Sequence, residues 1–500
     1  MNHLKSKDIN IIIYAVYLID NFLRKNEFDD NSLDILSEQI DIEYLLLLSS
    51  FLNKGIKKLS FSVLIILINV SYTIKGQLLC GENEDIITNI ANFLGNNKND
   101  MILLEFGILL IKNITWKNSF AKQILQNYKI VEFFNEIYQK YILNDKIIEN
   151  IILCLGHFIN SRFSKNKDIL CSINIIKSQL NKNIKFTSLF QFVYILYNLI
   201  LYASPDICKK MIEEEMHIRL MELFPFDENY ENDINNNNTN NEINAEDKDS
   251  YKKYLLKFQL LIIKILGKIL SIEEGVYIQK VLDSGFAKFL NKLLQLSNIK
   301  VIKNTFFCIQ NICQGNHGQI NNLIINNTIS LSLQVAKNVY EALNSKNQFI
   351  KNLSKIDFIK ALREIDYVFS LFIMNTLEEK IIPVIKYENH IVILFFVEGF
   401  KYLEDNKKDN LLISYMIRAI YKLFDYFKNN DDEDDYLTSS YLAEFLEKNG
   451  FKEILLKLQY NSDDMIMKYA EKMFDEFFDK DDDNNSININ DIIGSDGNDE

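Results

Sequence analysis

The sequence predicts an all-α solenoid, and three observations carry that prediction. Leu, Ile and Phe recur at helical spacing almost throughout, only 3 prolines and 15 glycines interrupt 500 residues, and one helical unit repeats. The unit is clearest from Val281 to Asn316, VLDSGFAKFLNKLLQLSNIKVIKNTFFCIQNICQGN. A first short helix ends near Gly285. A second carries Phe289, Leu290, Leu293 and Leu294, and a third carries Val301, Phe306, Ile309 and Ile312. Helices this short are marginal alone in water, so each must bury its apolar face on a neighbour.

Asn311, near the end of that third helix, serves as a register marker. Upstream equivalents are Lys268, Asn198, His157, Asn113 and Asn69, at spacings of 43, 70, 41, 44 and 44 residues. Such spacings centre on the period of roughly 40–47 that defines armadillo and HEAT repeats, and the helix triplet is the armadillo form. The 70-residue interval contains DENYENDINNNNTNNEINAEDKDS at 227–250. This Asn-rich acidic run has almost no apolar content and is expected to be a disordered insertion. Without it the interval falls into register. Downstream, Leu371 and Lys422 fit the marker best. The expected organisation is an N-terminal helical cap at 1–50 and a right-handed solenoid of about nine or ten repeats at 51–478. An acidic loop at 429–436 interrupts it, and an acidic disordered tail follows at 479–500.

The net charge of −13 is unevenly placed. The runs 227–250, 429–436 and 479–500 carry −7, −5 and −7, so the rest of the chain is about +6. The acidic balance therefore belongs to loops and tail, while the repeat body is mildly basic.

Cys80, Cys154, Cys171, Cys208, Cys308 and Cys313 are scattered without a close pair, as expected of buried thiols in a reducing compartment. The first residues lack the order of a secretory leader, since Asp20 interrupts the run INIIIYAVYLI. Residues 186–205 are uncharged for a bilayer-spanning length, but Gln191 and Asn198 lie within them and the register makes them a buried third helix. The tail run from Asp479 to Asp483 looks like the start of a calcium loop. Asn484 and Asn490 occupy the turn and bidentate-ligand places, so a solvated acidic tail is expected instead. His3, His157, His217, His317 and His390 have no partners at metal spacing. With no phosphate loop or nucleophile elbow either, the expectation is a chain without enzyme activity, metal or cofactor. Lys264, Lys268, Arg418 and Lys422 alone are too few for a nucleic-acid stripe.

At Val281–Asn316 and again at 445–478, FLEKNGFKEILLKLQYNSDDMIMKYAEKMFDEFF, the chain resembles importin-α, the adaptor family that carries nuclear-localisation-signal cargo. The resembling features are VLDSG, FLNKLL, Phe307 four residues before Asn311, and the close Gly315-Asn316. At the C-terminus they are a Gly-containing turn, a Leu-rich helix, a final aromatic cluster and an acidic tail. The resemblance implies a ladder of Trp-x-x-x-Asn pairs on successive third helices. The amides would bond an extended peptide backbone, and the indoles would pack cargo lysines. Here the Asn places hold Asn69, Asn113, His157, Asn198, Lys268, Asn311, Leu371 and Lys422. The Trp places hold Ile65, Leu109, Leu153, Tyr194, Lys264, Phe307, Tyr367 and Arg418. Trp116, the chain's single tryptophan, falls three residues past the Asn113 marker.

On this basis Asn69, Asn113, Asn198 and Asn311 are the expected backbone contacts, with Tyr194, Phe307 and Tyr367 for stacking. The resemblance implies a divergent import adaptor in cytoplasm and nucleus, with protein partners that include nuclear-transport factors. The alternative is an armadillo scaffold without transport function. The family's Arg/Lys-rich importin-β-binding arm has no counterpart, because the first 50 residues offer only Lys5, Lys7, Arg24 and Lys25.

Overall fold

The computed structural model describes residues 2–25, 41–159, 166–181, 184–201, 203–226, 245–344, 355–406, 409–429 and 438–478. Their regular structure is helical, in two compact units, Met1–Ile272 and Glu273–Glu500. The first unit begins with a 3-10 turn, Asn2–Lys5, then α1 (Ile9–Lys25), α2 (Ile42–Phe51) and α3 (Lys57–Tyr72). Two triplets follow: α4 (Ile74–Gly81), α5 (Glu84–Asn96) and α6 (Met101–Thr115), then α7 (Ser119–Asn127), α8 (Ile130–Lys140) and α9 (Asp145–Ile159). The pair α10 (Asn166–Gln179) and α11 (Phe186–Leu201) precedes a last triplet, α12 (Pro205–Glu213), α13 (Met216–Leu223) and α14 (Ala245–Leu270).

The second unit contains four triplets. The first two are α15 (Gly275–Asp283), α16 (Phe286–Leu294) and α17 (Ile299–Cys313), and α18 (His317–Ile325), α19 (Thr328–Asn344) and α20 (Lys355–Asn375). The others are α21 (Glu378–Lys386), α22 (Ile391–Asn406) and α23 (Asn410–Asn429), and α24 (Ser439–Lys448), α25 (Phe451–Leu458) and α26 (Asp464–Met473). The last ends in a π turn, Phe474–Phe478.

Local chemistry sets these boundaries. Third helices start where a side-chain oxygen takes up orphan amides: Asp100 accepts from Leu103 N, Asn298 from Lys300 N and Val301 N, and Asp463 from Met465 N and Ile466 N. α18 starts with a reciprocal capping box between Asn316 and Gln319. Between first and second helix the chain in most repeats reverses through a left-handed residue, and between α21 and α22 through three in succession, Glu388, Asn389 and His390. Gly285 and Gly450 hold that place at φ +89° and +87°, and Lys129, Glu215, Asn327 and His390 hold it elsewhere at φ +54° to +61°. Glycine accepts that conformation freely, whereas a side chain makes it costly.

Within each unit, every third helix packs on the third helix of the next repeat: α1, α3, α6, α9, α11 and α14 in the first, α17, α20, α23 and α26 in the second. The core lies between this layer and the first and second helices. Phe93, Phe134, Phe158, Phe192 and Phe258 are fully buried in the first unit, as are Phe286, Phe306, Phe369, Phe372, Phe395, Phe396 and Phe424 in the second. Each contributes about 1.5–3 kcal/mol of transfer free energy. The period reappears in the hydrogen bonds that stitch neighbouring repeats. Ser62 donates to Asp20, Asn113 to Ser71 and Tyr367 to Asp409, and each pair is 42 residues apart.

One register assignment is corrected. Leu371 is buried, and the marker place on α20 belongs to Asn375, whose amide donates to the Cys313 carbonyl at 2.9 Å as Asn113 donates to its preceding repeat. α20 has 21 residues against 15 in α17, and Asn375 is its last residue, one turn beyond Leu371. The insertion expected at 227–250 lies outside the described residues as far as 244, and 245–250 form the start of α14. Outside them as well are 430–436 of the acidic loop and the tail at 479–500. α11 carries Leu189, Phe192, Val193, Leu196, Leu199 and Ile200 inward. No single described helix is long and apolar enough to cross a membrane.

The junction geometry sets opposite outcomes for two substitutions. Glu215→Gly, at φ +56°, should stabilise the first unit by up to about 1 kcal/mol, and Gly285→Ala should destabilise the second by about 1–2 kcal/mol. Paired urea melts of each variant against the parent check both signs.

Candidate peptide-binding face on the third helices

Each third helix turns one stripe of residues, three to four apart, away from the core. In the first unit the stripe reads Ile65 and Asn69 on α3, Glu105 and Leu109 on α6, and Glu149, Leu153 and His157 on α9. It continues with Gln191, Tyr194 and Asn198 on α11 and Lys253, Lys257, Lys264 and Lys268 on α14, all half-buried or exposed. Because α11 packs directly on α14, residues of these two helices share one surface.

The expected asparagines have different occupations. Asn69 folds its amide back onto the Ile65 carbonyl of its own helix at 2.9 Å. Asn113 is 8% exposed and spends its amide on the Ser71 hydroxyl at 3.0 Å. Asn311 is buried at 6% exposure. Asn69 and Asn113 thus direct amide donors into the fold, and Asn311 lies within the helix stack. Asn198 differs: it is half-buried, and its side chain makes no hydrogen bond among the described residues.

The aromatic places divide in the same way. Tyr194, one turn before Asn198, is 50% exposed. Phe307 is half-buried on α17. Tyr367 is only 7% exposed and donates its hydroxyl to Asp409 Oδ1 at 2.9 Å, with Arg363 ion-paired to the same carboxylate. With Asn375 as the marker, the place four residues earlier is Leu371, and Tyr367 makes an interhelix contact. Lys422 is likewise spent on structure. Its ammonium donates to the carbonyls of Ile373, Met374 and Thr376 at 2.9, 3.2 and 3.1 Å, capping the end of α20, and burial lowers its pKa. On α14, by contrast, Lys264 is exposed and stands over the Tyr197 ring at 5.6 Å. Of the seven expected residues, Tyr194 and Asn198 form the one pair that the first unit sets together on an open surface.

Two titratable groups near this layer were not distinguished by sequence pattern. His157 Nδ1 lies 3.0 Å from the Thr115 hydroxyl, and the ring meets Trp116 edge-on at 5.5 Å. Burial first, then the charges of Lys122 and Lys112, push its pKa down to about 4. Trp116, 54% exposed, is thus the lid over His157 at the end of α6. On α20, Asp366 is 1% exposed, and neither carboxylate oxygen has a hydrogen-bond partner among the described residues. A Cβ at Gly399 would stand 2.2 Å from Asp366 Oδ2, so that glycine makes room for the carboxyl. Burial raises the Asp366 pKa well above the ordinary carboxylate value, which favours the neutral acid.

No protein-family model and no curated protein matches this chain. Solved structures do. An engineered protein superposes with a TM-score of 0.58 at 12% identity, covering 95% of this chain and 97% of its own. A structure from work on the phosphorylation switch that controls the interaction between cadherin and beta-catenin superposes with a TM-score of 0.53 at 10% identity. It covers 95% of this chain and 99% of its own. A designed armadillo repeat protein in complex with the peptide (KR)4 is similar over 60% of this chain and 97% of its own, with a TM-score of 0.39 at 19% identity. Together with the helix triplets and the 42-residue stitching, the first two superpositions show an α-solenoid of armadillo-type triplets.

The His157 shift has a definite sign. Its folded pKa lies below the ordinary 6.5, so its stabilising contribution is present above about pH 6.5 and is lost as pH falls towards 4. His157→Gln should flatten that part of the stability profile, read as the difference between variant and parent melts from pH 7 to 4. Asp366 runs the other way. Its folded pKa is raised, so its contribution is complete below about pH 3.8 and declines as pH rises. Asp366→Asn should therefore raise the midpoint at pH 7, with the gain shrinking towards pH 4; a gain that grows on acidification would contradict a buried neutral acid.

Proposed function

We propose that this chain is a non-catalytic adaptor that holds an extended peptide segment of a partner protein along its third helices. The carrying observation is the pair Tyr194 and Asn198, an exposed phenol and an amide with no hydrogen bond among the described residues, one turn apart beside the lysines of α14. An amide of this kind can accept from the N–H and donate to the C=O of an extended backbone. The spacing suits such a ligand. Packed helices lie about 8–10 Å apart and an extended chain advances about 3.4 Å per residue, so neighbouring third helices meet a peptide every two to three residues.

The finer role follows from what remains of the importin-α ladder. Carriage of nuclear-localisation cargo between cytoplasm and nucleus is supported by the resemblance at 281–316 and 445–478. A fixed scaffold is supported by the engagement of Asn69, Asn113 and Tyr367 within the fold and by lysines at the groove places of α14. The scaffold reading is also favoured by α1, which packs on α3 with Val16 and Ala15 buried, as part of the helix stack.

An array of extended decapeptides probed with the full chain tests the adaptor reading. Tyr194→Ala with Asn198→Ala should weaken every retained sequence by about 1–3 kcal/mol, with an unchanged melting midpoint. Identical binding by parent and double variant removes this face from the site. Titration with importin-β separates the roles, since tight binding would restore import and none is expected of the scaffold.

A further inference from the structure

We infer that the peptide taken up by the α11–α14 face is acidic. This rests on the adaptor reading above and deepens it. Residues 251–270 of α14 contain Lys252, Lys253, Lys257, Lys264 and Lys268 and no acidic residue, and α11 contains no charged residue at all. Lys253, Lys257 and Lys264 are exposed. Lys257 stands over the exposed Tyr254 ring at 5.4 Å and Lys264 over the half-buried Tyr197 at 5.6 Å, so aromatic faces hold two of the ammonium groups along the surface. A ligand bonding Asn198 and packing on Tyr194 therefore has cations on its α14 side and neutral residues on its α11 side. Carboxylates at alternate residues would meet those cations, whereas a Lys/Arg segment would meet like charge.

The extent of the basic surface selects a peptide over a nucleic-acid strand. On the next repeat α9 presents Glu149, which accepts from the Ser188 hydroxyl at the start of α11 at 2.7 Å, and α6 presents Glu105. A polyphosphate backbone continued along these third helices would run into carboxylates. A peptide with a short acidic cluster and neutral flanks would not.

The test titrates the full chain with the octapeptides Gly-Gly-(Glu-Asp)2-Gly-Gly and Gly-Gly-(Lys-Arg)2-Gly-Gly and with an octathymidylate. The expected result is salt-sensitive binding of the acidic peptide alone. Lys257→Glu with Lys264→Glu should weaken it at least tenfold and admit the basic peptide. Lys288→Glu with Lys448→Glu, the same charge change at exposed sites of the second unit, should have little effect. Preference of the parent for the basic peptide overturns the inference, and if Tyr194→Ala with Asn198→Ala abolishes that binding the adaptor reading survives. Tighter binding of octathymidylate, or equal loss in both lysine pairs, also overturns it. No binding of either peptide overturns inference and adaptor reading together.

Discussion

Everything in this fold depends on the burial of one third helix against the next. Most first and second helices, at eight to fourteen residues, have too few internal hydrogen bonds to offset the cost of nucleation, and their apolar faces are covered only within a triplet. The triplet in turn is closed only by its neighbours, through contacts such as Phe134 on Phe158 within a repeat and Asn113 on Ser71 between repeats. Stability is therefore nearest-neighbour in character, and each polar group at the third-helix layer is first of all a group that stacking must satisfy.

That requirement competes with ligand binding for the same side chains. An amide near the end of a third helix can satisfy its own helix, as Asn69 does, reach the previous repeat, as Asn113 and Asn375 do, or stay open, as Asn198 does. Lys422 shows the same competition for a cation: three carbonyls at the end of α20 take its whole donor capacity. Groove position is thus a necessary condition for contact with a partner and not a sufficient one.

This is why the fold was legible in sequence while the site was only partly so. Apolar periodicity, few prolines and the glycines at 285 and 450 report on local helix chemistry, and local chemistry fixes the triplet. The same left-handed junction is made by Lys129, Glu215, Asn327 and His390, where no glycine announces it, so the faint repeats were found by spacing alone. Asn198 and Tyr194 were found by register. The engagement of Tyr367 by Asp409 depends on a residue of the next repeat, and the lack of a bond to Asn198 among the described residues depends on its neighbours. Neither is written at the residue itself.

Charge is distributed by the same logic. A residue on the outer stripe is free of the core's demand for apolar atoms, so its sign can be set by a partner instead of by folding. α14 uses that freedom for lysines at 253, 257, 264 and 268, while its inward residues Phe258, Ile262, Ile265, Leu266 and Ile269 stay apolar and fully buried. An uncharged α11 beside the stretch 251–270 of α14, whose charged residues are all lysines, with rings of Tyr197 and Tyr254 under two ammonium groups, makes a surface whose charge is independent of its packing role. The tryptophan places of the importin-α ladder suit cargo lysines because an indole face attracts a cation. At the same place on α14 stands Lys264, itself the cation over a ring. At the proposed site, one substitution of that kind in the repeat beside Asn198 would leave the amide in place and reverse the charge of the side chains accepted.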